Sequence, residues 1–77
     1  MKKNKRHINN MYNMLLSHAN DKKNKAMLSL DLLCYQSVGI GDHSTEDFYK
    51  NAIEAIENLT DAEDEILTIQ AYFDKKL

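Results

Sequence analysis

Apolar residues recur at spacings of three and four in three stretches of the chain, which is the period of an amphipathic helix. The first stretch predicts a helix over about residues 7 to 19, and the second predicts a helix that stops at Gly39. Asn20, Asp21 and Asn24 weaken a helix between them without forbidding it, so one continuous rod is the alternative. The two apolar stripes consist of Ile8, Met11, Tyr12, Leu15 and Ala19, and of Ala26, Met27, Leu30, Leu33, Cys34, Ser37 and Val38.

The third stretch has the most regular pattern and follows a connector over residues 39 to 44 that contains both glycines. Ser44 or Thr45 begins a helix that we expect to run from 45 to 74. Thr60 followed by Glu63 could instead cap a new helix, which would place a kink near residues 58 to 60. An unbroken heptad pattern, here called the seam, comprises Phe48, Ala52, Ala55, Leu59, Ala62, Ile66, Ile69 and Phe73.

The length of the third helix predicts self-association. At about 1.5 Å per residue it is some 45 Å long, whereas the first predicted helix is less than half as long. The uncovered part of the seam needs another surface, and a second copy of the chain is the simplest candidate. Ile53, Ile56 and Leu67 flank the seam, so it suits two helices or a partner chain. The alternative is a longer second helix that covers the seam within the chain.

These patterns together predict an all-α fold: a small three-helix hairpin or bundle with a long amphipathic C-terminal helix, completed by a coiled-coil homodimer. The 77 residues suffice for one domain over 1 to 77, with a flexible basic tail over 1 to 6. Apolar runs are too short for a membrane span, and a single cysteine fits a reducing compartment. We therefore expect a cytoplasmic protein that does not bind membranes.

The net charge of −2 conceals a strong asymmetry along the chain. Residues 1 to 25 hold seven basic residues and one acidic residue, whereas residues 26 to 77 hold three basic and eleven acidic residues. The basic segment could contact nucleic-acid phosphates, or it could simply be solvated and complement the acidic helix. Its residues are Lys2, Lys3, Lys5, Arg6, Lys22, Lys23 and Lys25.

The third helix carries an acidic face off the seam, which could meet a basic protein surface or serve only solubility. That face comprises Glu54, Glu57, Asp61, Asp64 and Glu65.

Residues with reactive side chains do not form a complete catalytic or metal-binding set. Asp42, His43, Glu46 and Asp47 are close in sequence, but a metal site needs three or four converging ligands, and helix capping explains these residues more simply. Cys34 lacks a neighbouring base and is predicted to pack in the core. With no phosphate-binding glycine loop either, we expect a protein that is not an enzyme and has no metal or cofactor.

The segment Val38-Gly39-Ile40-Gly41-Asp42-His43-Ser44-Thr45-Glu46-Asp47-Phe48, followed by a heptad helix through Asp61-Ala62-Glu63-Asp64, resembles small uncharacterised helical proteins of large tailed bacteriophages. The resemblance covers residues 26 to 73. It implies an accessory, protein-binding role in the cytoplasm of an infected bacterial cell, and it identifies no functional residue.

The sequence therefore predicts a non-enzymatic helical module that binds a host or phage protein through its acidic amphipathic helix. The alternative is a small nucleic-acid-associated protein that uses the basic N-terminal segment.

Overall fold

The computed structural model describes residues 4–35 and 45–77, and this part of the chain contains two helices and no strand. Helix α1 spans Asn4–Cys34 and helix α2 spans Thr45–Asp74. The prediction of an all-helical protein is confirmed. The predicted three-helix arrangement is wrong, because the first two predicted helices are one, and the molecule is a two-helix hairpin. The connector over 39 to 44 and the helix end at Gly39 lie outside the described residues.

Helix α1 continues without interruption through the stretch where the sequence weakens a helix. Asp21 and Lys25 form an ion pair of 3.1 Å one turn apart, which favours the helical conformation locally. Ala19 and Ala26, on either side of this stretch, are both buried against α2. Tertiary packing of a continuous stripe thus outweighs the low helix propensity of the polar residues. Lys5 and Arg6, predicted to belong to a flexible tail, lie within the first turns of α1.

Helix α2 has the predicted bounds and no interruption. Glu46 and Asp47 occupy its first turn, where negative charge is stabilised by the helix dipole. Thr60 does not cap a second helix, because its hydroxyl donates a hydrogen bond of 2.9 Å to the carbonyl of Ile56, one turn earlier. The alternative of a kink near residues 58 to 60 is therefore not the observed structure.

The two helices pack side by side in antiparallel directions. The Tyr12 and Phe73 rings, near the start of α1 and the end of α2, have centroids 5.3 Å apart. Farther along α1, Lys22 Nζ lies 2.6 Å from Glu65 Oε2. These two contacts set the register. As the residue number rises along α1, the number of the opposing residue of α2 falls.

The seam of α2 lies inside this hairpin. Ala55, Ala62 and Phe73 are buried, and the other five seam residues are half-buried. The opposing residues of α1 include Tyr12, Ala19, Ala26 and Leu33 at spacings of seven. Covering of the seam within the chain, the alternative to an intermolecular seam, is thus the observed arrangement, because α1 is 31 residues long and matches α2 in length.

Candidate interaction surface

The seam divides the surface of the hairpin into two sides, and the first is polar. Lys22, Ser29 and Asn58 line one open groove of about 380 Å³ on this side, next to the Lys22–Glu65 pair. A second groove of about 330 Å³ continues past Leu32 and Asn51. Among the described residues no polar side chain is buried in either groove, so they resemble open surface furrows more than a small-molecule site.

The Lys22–Glu65 pair dominates the electrostatics of the polar side. The hydrogen bond from Lys22 lowers the pKa of the Glu65 carboxyl, and the nearby His18 acts in the same direction. The same hydrogen bond raises the pKa of the Lys22 ammonium group, with a further contribution from Asp61. Both side chains remain more than a third exposed, which limits their effect on stability because solvent screens the attraction.

Several predicted site residues are engaged within the chain. Of the five described basic residues in the N-terminal segment, Lys22 pairs with Glu65 and Lys25 pairs with Asp21. Glu65, a member of the predicted acidic face, is thereby paired within the chain. The remaining acidic residues of that face, all exposed, are Glu54, Glu57, Asp61 and Asp64. Lys2 and Lys3 lie outside the described residues.

The structure brings no candidate catalytic or metal-binding set together in the region it describes. No group of three or more potential metal ligands occurs among the described residues, and Asp42 and His43 fall outside them. The prediction that Cys34 packs in the core is wrong, because the thiol is exposed. The α1 contribution to the seam passes through Leu33, and Cys34 lies one position beyond it, turned towards solvent.

The second side of the hairpin is apolar, and its position follows from that of the polar side. Each step along a helix turns the side chain by about 100°. The residues that directly follow Lys22, Ser29, Asn58 and Glu65 therefore lie across the seam from the polar side. This apolar face, so named from here on, contains Leu16, Met27 and Leu30 of α1 and Tyr49 and Ile56 of α2, and the half-buried seam residues Leu59 and Ile66 form its inner edge.

Large apolar side chains remain accessible on this face while alanines fill the seam. Met27 is 44% exposed and Ile56 is 48% exposed. By contrast, Ala19 and Ala62 are both 0% exposed, and no large side chain among the described residues is fully buried. Small residues let the two helix backbones approach closely but contribute little apolar area to the core. The hairpin thus keeps much of its apolar surface on the outside.

The molecule is correspondingly extended, with Cα dimensions of 61 × 14 × 14 Å and a radius of gyration of 17.8 Å. A compact chain of this length has a radius of about 11 to 12 Å. The accessible surface is 6273 Å², whereas a compact monomer of 8.9 kDa exposes about 4,800 Å². The excess, about 1,500 Å² on one chain, is larger than the roughly 800 Å² that each partner buries in a standard protein interface.

Charge is nearly absent from the two helical stripes that contain the apolar face. In α1 the stripe runs through Asn13, Leu16, Asn20, Lys23, Met27, Leu30 and Cys34, and in α2 it runs through Tyr49, Ala52, Ile56, Leu59, Glu63, Ile66 and Gln70. Lys23 is the charged member of the first stripe and Glu63 that of the second. They lie at about the same height, because Lys22 is opposite Glu65 across the seam. Neither takes part in a salt bridge within the described residues.

Part of the apolar face can be read from the sequence and part was missed. Ile56, one of the apolar positions that flank the seam, already indicated an apolar surface on α2 that is wider than the seam. The α1 stripe was missed because a break at residues 20 and 21 removes the helical phase that relates Leu16 to Met27 and Leu30. Extending the seven-residue spacing of the apolar positions through the polar stretch would have identified the α1 stripe.

No family model matches this chain, and neither the curated proteins nor the solved structures contain a significant match. Neither helix, over the residues that the structure describes, has an apolar stretch long enough to cross a membrane.

Proposed function

We propose that this protein is a non-enzymatic helical interaction module that binds protein helices through its apolar face. The observation that carries the proposal is the apolar face, on which Met27 is 44% exposed and Ile56 is 48% exposed, beside a core of four alanines and Phe73. A two-helix hairpin buries too little apolar surface to be very stable alone. Another helical surface that covers the apolar face would supply the missing burial, at about 25 cal/mol for each Å² of apolar surface that is removed from water.

The polar side favours this proposal over binding of nucleic acid by the basic segment. Two of the five described basic residues are already paired with carboxylates of the same chain. Nucleic-acid phosphates would have to compete with Glu65 and Asp21 for these lysines and would be repelled by the acidic residues of α2. The apolar face carries no such conflict. The resemblance to bacteriophage proteins would place the partner in an infected bacterial cell.

Site-specific photo-crosslinking in living bacteria tests the proposal. A photoreactive phenylalanine analogue replaces Met27 on the apolar face or, as the control, the exposed Glu57 on the outer surface of α2. We expect discrete protein adducts from position 27 and none from position 57. Equal labelling at both positions, or no adduct from position 27, would contradict the proposal. Adducts that disappear after nuclease treatment would support nucleic-acid binding instead.

A further inference from the structure

The apolar face is self-complementary when it is compared with a second copy of itself. We propose that two hairpins pair through their apolar faces about a two-fold axis parallel to their long axis, so that Lys23 of each copy meets Glu63 of the other. The result is a four-helix bundle. This inference rests on the proposed function and names the partner of that same face.

The surface area of the hairpin fits a dimer of this kind. Two separate copies of 6273 Å² expose roughly 12,500 Å², whereas a compact protein of twice the mass exposes about 8,000 Å². Face-to-face pairing can thus remove up to about 4,500 Å² in total, within the range of roughly 2,000 to 5,000 Å² seen for obligate dimers. The area available on the hairpin is therefore sufficient for a stable dimer.

The charges select the direction of the two-fold axis. With the axis parallel to the long dimension, α1 of one copy packs on α2 of the other at equal height, and Lys23 faces Glu63 of the partner subunit. With the axis perpendicular to it, α1 would pack on α1. Lys23 would then face Lys23 of the partner subunit, and the two Glu63 residues would also meet, which is repulsive in a desolvated interface.

The apolar residues match in the same arrangement. In the register set by Lys22 and Glu65, Met27 lies at the height of Leu59, and Leu30 lies at the height of Ile56. In the dimer, Met27 would therefore face Leu59 of the partner subunit, and Leu30 would face Ile56 of the partner subunit. Every pair of contacting helices in the bundle is antiparallel, which is the usual arrangement of short-loop four-helix bundles.

Exchange of the two charges between copies tests the proposal. The full chain is prepared as K23E and as E63K, and dimer dissociation constants are measured by sedimentation equilibrium for each variant, for their equimolar mixture and for the unchanged protein. In each single variant, both contacts between position 23 of one copy and position 63 of the other become like-charged. We therefore expect the dimer to weaken about tenfold or more. In the mixed dimer one contact pairs the two native residues and the other pairs the two substituted ones, so the mixture should regain the affinity of the unchanged protein.

Helix content is measured by circular dichroism on the same samples, because a chain that dissociates can also lose helix. Recovery of both mass and helix content on mixing would support pairing between copies, since each variant alone keeps its like charges. Single variants that dimerise as tightly as the unchanged protein, with a mixture tighter than either, would overturn the parallel axis in favour of the perpendicular one. A monomeric unchanged chain would overturn self-pairing altogether. If position 27 still cross-links to a different protein, the proposed interaction module stands without it.

Discussion

The two sides of the hairpin are formed by the same two helices, but one side is polar and the other is apolar. On the polar side Lys22 and Glu65 meet at 2.6 Å within one chain. On the apolar face, Lys23 and Glu63 form no salt bridge among the described residues. They share that face with partly exposed Leu, Ile and Met side chains. The polar side is thus complete within one chain, whereas the apolar face leaves area uncovered that a partner can bury.

A charge introduced on each side in turn should show the difference between the two sides most strongly. Ile56→Lys puts an ammonium group in the apolar face, and Leu32→Lys puts one beside Glu54 on the polar side, with similar initial exposures of 48% and 60%. We expect Ile56→Lys to weaken association at least about 100-fold, because an unpaired charge would be desolvated. Leu32→Lys should leave association within about threefold of the unchanged protein. Equal weakening by both variants, measured by sedimentation, would remove the distinction between the sides.

Overpacking of the seam should have the next largest effect, and it should act on folding before it acts on association. Ala62 is fully buried between the helices, whereas Ala71 is exposed on α2. Ala62→Leu should lower the free energy of unfolding by about 1 to 3 kcal/mol because the added side chain forces the helices apart. Ala71→Leu should change it by less than about 0.5 kcal/mol. Urea denaturation followed by circular dichroism measures both, and a tolerated Ala62→Leu would argue against close helix packing.

The smallest effect is expected from the ion pair on the polar side. The pKa of Glu65 is lowered by Lys22, so the pair's contribution to stability is present above the ordinary carboxyl pKa and is lost as the pH falls through the lowered value. The pKa of Lys22 is raised, so that part is present below the ordinary lysine pKa and is lost as the pH rises through the raised value. Glu65→Gln should remove a small, salt-sensitive part of the stability between these limits.

Thermal melting at low and high salt measures this difference, with Glu57→Gln as the control because Glu57 is exposed and has no ion pair among the described residues. Glu65→Gln should lower the melting temperature more than Glu57→Gln at low salt, and the two variants should converge at high salt. A dependence on Glu65 that salt does not reduce would show that the side chain acts through packing instead.

Helix α2 could be predicted almost completely from the sequence, since its seam repeats without interruption from Phe48 to Phe73 and its first turn is acidic. All eight predicted seam residues are the buried or half-buried apolar positions of α2. Local pattern sufficed there because intrinsic preference and packing agree along the whole helix.

Helix α1 could not be predicted in the same way, because local preference and packing disagree at Asn20 and Asp21. The stretch is polar, yet it is held helical by Ala19 and Ala26 on either side and by the contact of Lys22 with Glu65, which is 43 residues away in the chain. A contact of that sequence separation is invisible to periodicity. The error in α1 also made the seam seem uncovered, which led to the prediction of a dimer through the seam.

The most direct test of the central claim is the mass of the unchanged chain in solution, measured by sedimentation equilibrium over a wide concentration range. We predict a species of twice 8.9 kDa that dissociates on dilution, because the apolar face of one hairpin covers that of another. A folded species of 8.9 kDa at every concentration, with the full helix content of the hairpin, would contradict the account.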